Sequence, residues 1–192
     1  MHKTMFDTWI IKDVFRLISM IFLKLTGWKV VGDFPRQKSF VLIAAPHTSN
    51  WDLPFLMAMT FTLRAKIYWM GKAQIFKPPF KGLMKWMGGI PVDRSKSNNL
   101  VEYSAELLKQ NPGLIIAVPP EGTRSKVKHW KTGFYHIARL AETSILLGFL
   151  DYGKKEGGVI STFELSQDID ADMQQIQSIY AKVQGKYPSL YE

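Results

Sequence analysis

Four short apolar runs constrain this chain more than anything else in it: Phe40 to Ala45, Lys66 to Met70, Leu114 to Val118 and Ser144 to Leu150. Each is too short for a typical helix and reads as a buried strand. Between them lie stretches of helical spacing. Trp51 to Leu63 puts Leu53, Leu56, Met57 and Phe61 on an inward face, and the stretch from Ser95 does the same with Leu100, Tyr103, Leu107 and Leu108. Gly133 to Glu142 and Asp170 to Val183 are further helices. Trp28 to Val31, Ile90 to Val92 and Val159 to Leu165 complete the strands, the last as an edge. Alternation of this kind predicts an α/β fold, a largely parallel central sheet flanked by helices. No repeat, low-complexity tract or linker interrupts the 192 residues. The expected organisation is an N-terminal amphipathic helix within residues 1–27 and a single domain over 28–192.

Composition narrows the chemistry. A hydrophobic content of 46 % excludes general disorder. There is no cysteine, so disulfides, thiolate nucleophiles and thiolate metal sites are excluded. His2, His47, His129 and His136 show no ligand spacing, and no metal is expected. A net charge of +9 points to an anionic partner: nucleic acid, a phosphorylated substrate or an acidic lipid surface. No uninterrupted apolar run has the length of a membrane span, and no small-residue cleavage site suggests a signal peptide.

Phe6 to Leu25 reads as a helix with Ile10, Ile11, Val14, Phe15, Leu17, Ile18, Ile21, Phe22 and Leu25 on one broad face. Asp7, Lys12, Asp13, Arg16 and Ser19 gather opposite. The pattern suits a surface helix covering a core. It also suits a helix lying in a membrane interface, with Trp9 and Trp28 near its ends.

The first long strand runs into Pro46-His47-Thr48-Ser49-Asn50-Trp51-Asp52. Thr48, Ser49 and Asn50 are all good N-cap residues. A histidine and an aspartate thus stand where a buried strand hands over to a helix, the edge at which open α/β sheets bind ligands. The chain can fold the Asp52 carboxylate back onto the His47 ring, fixing its tautomer and stabilising the imidazolium. The same residues also fit a buried histidine tied to a helix cap.

Two later strands end in charged loops, Asp93-Arg94 and Glu121-Gly122-Thr123-Arg124. Guanidinium groups at such ends suit phosphate, which they grip bidentately, and also suit surface ion pairs. From Gly71 to Trp86, lysines interleave with Ile75, Phe76, Phe80 and Trp86. That mixture fits a lipid headgroup layer, single-stranded nucleic acid, or a solvated loop.

In order, the blocks His47-x4-Asp52, Gly89-Ile90-Pro91-Val92-Asp93-Arg94 and Pro120-Glu121-Gly122-Thr123-Arg124-Ser125 resemble the glycerolipid acyltransferase family, typified by 1-acylglycerol-3-phosphate acyltransferase. The likeness spans roughly residues 40–150. It implies that His47 is the base on an acceptor hydroxyl, which attacks the thioester of acyl-CoA or acyl-carrier protein. Asp52 supports His47. Asp93 and Arg94 of the second block and Glu121, Gly122, Thr123 and Arg124 of the third form the substrate-binding set, with the two arginines on the acceptor phosphate. The resemblance further implies a lysolipid acceptor, phospholipid synthesis, no cofactor beyond the acyl donor, and a peripheral place on the cytoplasmic face of an anionic membrane. The fourth block departs: Gly148 stands near the expected proline.

Two other classes compete. A lipid or thioester hydrolase would use the same His47 and Asp52, with water as acceptor. A basic nucleic-acid-binding module would use the charge alone, but no nucleic-acid motif is present, and nucleic acid is not the expected partner. Ser49 lacks the elbow pattern of a nucleophile.

Overall fold

The computed structural model describes residues 1–35, 38–92, 97–127, 129–166 and 168–190. Among them seven strands form one sheet: β1 (Lys29–Val31), β2 (Phe40–Ala45), β3 (Ile67–Lys72), β4 (Gly89–Val92), β5 (Ile115–Val118), β6 (Ile145–Asp151) and β7 (Glu156–Phe163). Their order is β1-β7-β6-β2-β5-β3-β4. All neighbours run parallel except the hairpin pair β6 and β7. The helices are α1 (Ile11–Thr26), α2 (Asp52–Thr62), α3 (Lys81–Trp86), α4 (Ser97–Gln110), α5 (Gly133–Leu140) and α6 (Ile169–Tyr180).

The sheet is covered on both faces, which is why its central strands read as unbroken apolar runs. Successive side chains alternate between the two cores. Val41, Ile43, Ile116, Ile145 and Leu147 meet Leu108 of α4, Phe134 and Ile137 of α5, and Ile176 and Tyr180 of α6. Phe40, Leu42, Ile67, Ile115 and Leu146 meet Met57 and Phe61 of α2, with Phe15 of α1 and Trp86 of α3 packed against them.

Two expectations about the elements are corrected. The last strand is interior, because β1 pairs outside it. Gly158 makes this possible: at φ +142 its hydrogen lies where a Cβ would stand 2.1 Å from the Val31 carbonyl oxygen. The first helix starts at Ile11, not Phe6. Upstream, the Asp7 carboxylate accepts from both the Thr4 amide and hydroxyl and pairs with Lys66, and Ile10 sits at φ 67, outside helical space. Gly27 at φ 76 closes the other end by returning its amide to Leu23 and Lys24.

The broad face of α1 is also split. Phe15 packs on Phe61 and Phe22 on Phe55, while Leu23 is buried. Ser19, expected on the polar side, faces inward as well. Val14, Leu17, Ile18, Ile21 and Leu25 stay in solvent, Leu25 at 82 % exposure. Trp28 is a core residue, stacked 4.3 Å from Phe55, and not an interface anchor. Among the described residues no helix is long and apolar enough to cross a membrane.

Candidate active site

The site opens at the carboxyl ends of β2, β5 and β6, which lie side by side. From β2 the chain crosses to one face of the sheet as α2, and from β5 to the other as α5. Adjacent strands whose connections diverge leave a crevice between their ends. Here it is a cavity of about 270 Å³. Ala44 and Ala45 of β2, Ala117 and Val118 of β5, Trp69 and Met70 of β3, and Leu53 and Leu56 of α2 make a mainly apolar wall. His47, Ser49, Asp52 and Arg124 supply the polar part. Of the inward face the sequence predicts for α2, Met57 and Phe61 are buried, but Leu53 and Leu56 line the cavity, and Phe55, Ala58 and Met59 are buried in addition.

Pro46 follows β2 through a cis peptide bond and starts the turn. Asp52 begins α2 and folds back over that turn. One oxygen, Oδ2, accepts from His47 Nδ1, the Thr48 amide and the Ser49 amide, each at 2.9 Å. The helix cap therefore works in the opposite sense to the sequence expectation. Thr48, Ser49 and Asn50 do not cap the helix with their side chains; its first aspartate captures the amides before it. Ser49 Oγ accepts from the Trp51 amide, a local turn contact rather than a nucleophile's arrangement.

A carboxylate oxygen can only accept, so Nδ1 of His47 carries a proton, and in the neutral ring Nε2 is then the nitrogen with the lone pair. His47 is partly exposed while Asp52 is buried. The ring can reach a substrate; the carboxylate that holds it cannot drift into water.

Glu121 sits behind the turn, 3 % exposed. Its Oε1 accepts from the His47 amide at 3.0 Å, and its Oε2 is buried with no hydrogen-bond partner among the described residues. Burial pushes this carboxyl up from its ordinary range, against the lowering pull of the amides it accepts from and of the His47 ring, and the Asp52 charge pushes the same way as burial. Gly122 stands at φ +66, and its amide donates to the Pro119 carbonyl at 3.1 Å. Thr123 is exposed and caps the Ser125 amide. Arg124 is exposed at the cavity rim, and among the described residues no carboxylate pairs with it. Asp93 and Arg94 lie outside the described residues. Gly148 lies within β6, opposite Ala44. Among the described residues no group of three His, Asp or Glu side chains is placed to hold a metal ion.

Sequence reasoning missed Tyr152. It follows β6 directly, and its hydroxyl donates to the other Asp52 oxygen, Oδ1, at 2.8 Å. No local pattern signals it, because it lies 100 residues from its partner.

The strand ends thus bring together a bonded His–Asp pair, a mainly apolar cavity and a guanidinium with no carboxylate partner among the described residues. The family model for acyltransferases matches residues 27–146, which takes in β1 to the start of β6 and every predicted site residue. The chain belongs to the acyltransferase family, the glycerolipid acyltransferases, and its general activity is O-acyl transfer. No curated protein and no solved structure matches it.

Proposed function

We propose that the protein moves a fatty acyl group from acyl-CoA or acyl-carrier protein to the hydroxyl of a phosphate-bearing lysolipid, in phospholipid synthesis. The observation that carries this reading is His47 bonded through Nδ1 to buried Asp52, with its ring at an apolar cavity that has Arg124 on the rim. Nε2 of His47 takes the proton of the acceptor hydroxyl as its oxygen attacks the thioester carbonyl. The tetrahedral intermediate collapses, the C–S bond breaks, and the imidazolium returns the proton to the departing thiolate. Asp52 balances the imidazolium charge between the two steps. The apolar wall suits an acyl chain. Arg124, and by resemblance Arg94, suits the acceptor phosphate. Glu121 acts from behind, through the His47 amide.

The substrate resides in a lipid phase, so the enzyme must reach one. The exposed half of α1 suits a flat position on the cytoplasmic leaflet, and Lys12, Lys24, Lys72, Lys77, Lys81 and Lys85 add charge. Each cation near an anionic surface is worth about 1 kcal/mol. Changing Leu17, Ile21 and Leu25 together to Glu should release the protein from anionic vesicles without unfolding it, since none of the three is buried. Sedimentation of that variant equal to wild type would remove α1 as the anchor.

The deciding experiment incubates purified protein with acyl-CoA and a panel of lysolipids, following free thiol and product mass. Thiol release that depends on lysolipid, with a diacyl product, is the expected result. Equal thiol release without lysolipid, with free fatty acid, would make the protein a hydrolase.

A further inference from the structure

Asp52 receives four hydrogen bonds, and three come from its own turn. His47 Nδ1, the Thr48 amide and the Ser49 amide all converge on Oδ2. Three donors on one oxygen hold Oδ2 and leave Oδ1 with no partner from the turn. The fourth bond, from the Tyr152 hydroxyl to Oδ1, comes from the end of β6 and holds that second oxygen. We infer that Tyr152 is a positioning residue that completes a Tyr152–Asp52–His47 relay, bracing the carboxylate from the side away from the turn and setting the share of its charge that faces the imidazole. The inference rests on the reading of His47 as the base.

The surroundings of Tyr152 suit a fixed donor. Its ring stands edge-on to Trp28 at 4.9 Å and to Phe55 at 5.8 Å. Its amide donates to the Gln184 carbonyl at 2.8 Å, so the segment after α6 holds its backbone. That segment also braces the histidine turn. The Tyr187 amide donates to Thr48 Oγ1 at 3.3 Å, and a Cβ at Gly185 would stand 2.8 Å from the same Oγ1. Burial, and then the adjoining Asp52 carboxylate, push the Tyr152 hydroxyl up from its ordinary range, so it stays protonated and donates.

Other charged or titratable groups bear on the same pair. Glu121 lies behind the His47 amide, Arg124 at the cavity rim, Lys186 5.4 Å over the Tyr152 ring, and Tyr187 beside it. None of them donates to Asp52. Removing the Tyr152 hydroxyl should therefore act on one bond. With Oδ1 no longer sharing its charge, the carboxylate stabilises the imidazolium more strongly, and His47 holds its proton to higher pH.

The test is Tyr152→Phe, which keeps the ring against Trp28 and Phe55. The acid limb of kcat/KM should move up by about 0.5 pH unit or more. The kcat plateau should fall roughly 10-fold, as for a lost hydrogen bond to a charged group. KM for acyl-CoA and for lysolipid should stay within about two-fold, since Tyr152 is not placed to touch either. The titration midpoint of the His47 Cε1 proton, assigned by its loss in His47→Ala, should move up in parallel. An unchanged pH profile and an unchanged His47 midpoint, with His47→Ala inactive, would reduce Tyr152 to packing. An active His47→Ala would overturn the base reading instead, and the NMR midpoint would still decide whether Tyr152 acts on His47 through Asp52.

Discussion

The turn that carries His47 and the loop that carries Arg124 leave neighbouring strands, yet they are built in opposite ways. In the first, both polar partners of the histidine are buried, and Asp52 and Glu121 between them accept five hydrogen bonds from it and its surroundings. In the second, Thr123 and Arg124 are exposed, and the guanidinium has no carboxylate partner among the described residues. The difference matches two jobs. A base must be aimed before substrate arrives, because misplacement costs rate. A phosphate clamp must be free beforehand, because a paired guanidinium would have to break its own bond to bind.

Substitutions on the two sides should therefore fail differently. Asp52→Asn strikes the built side. With its carbonyl oxygen facing Nδ1 and the two turn amides, its side chain has no charge to balance the imidazolium; with its amide there, the imidazole turns to the tautomer with no lone pair on Nε2. The loss in kcat should reach several orders of magnitude, up to the ~10⁴-fold of that tautomer change in a Ser-His-Asp protease. A rate near wild type would reduce Asp52 to a helix-start residue.

Arg124→Ala strikes the open side. It should raise the KM for a phosphate-bearing acceptor by about 10- to 150-fold, the worth of one charge-assisted contact, and leave kcat and donor KM nearly unchanged. A raised acyl-CoA KM with a normal acceptor KM would move this arginine to the donor's phosphates. Such a result would sharpen the contrast between the two loops and change only which substrate the open one holds.

Glu121→Gln is the subtlest probe. The neutral side chain can still accept from the His47 amide through its carbonyl oxygen. Because burial raises the Glu121 carboxyl, the folded protein keeps that proton through a pH range in which the unfolded chain, with an ordinary value of about 4.3, has lost it. Wild type therefore loses stability as pH rises through that range, and the glutamine variant does not. Melting temperatures compared between pH 4 and 8 should show the variant gaining on wild type as pH rises. A constant difference would mean that Glu121 titrates alike in the folded and unfolded chains, so that burial does not raise its carboxyl.

What could be read from sequence follows from how far apart the partners stand. His47 and Asp52 lie within one turn, so their pairing was visible in the spacing, as were the strand ends that expose them. The Glu121 loop was visible as a block, but not its attachment to the His47 amide, which needs β2 and β5 to be neighbours. Tyr152 was invisible for the same reason: only the pairing of β2 with β6 brings it to Asp52. In α1, periodicity marked the width of the apolar face. Which half would find a partner depended on Phe55 and Phe61 of α2, and that half drew in Ser19 and left Leu17, Ile21 and Leu25 outside. Gly157 and Gly158 hid the start of β7, since adjacent glycines read as a turn until β1 is seen to close against them.

The central claim is that a preset His47–Asp52 pair removes the acceptor's proton. Single-turnover acyl transfer by His47→Ala, with folding checked by its melting curve and lysolipid binding measured alongside, tests it most directly. The account predicts wild-type folding and binding, with transfer reduced by at least ~10²- to 10⁴-fold, the usual contribution of a positioned base. Transfer within a few-fold of wild type would contradict it.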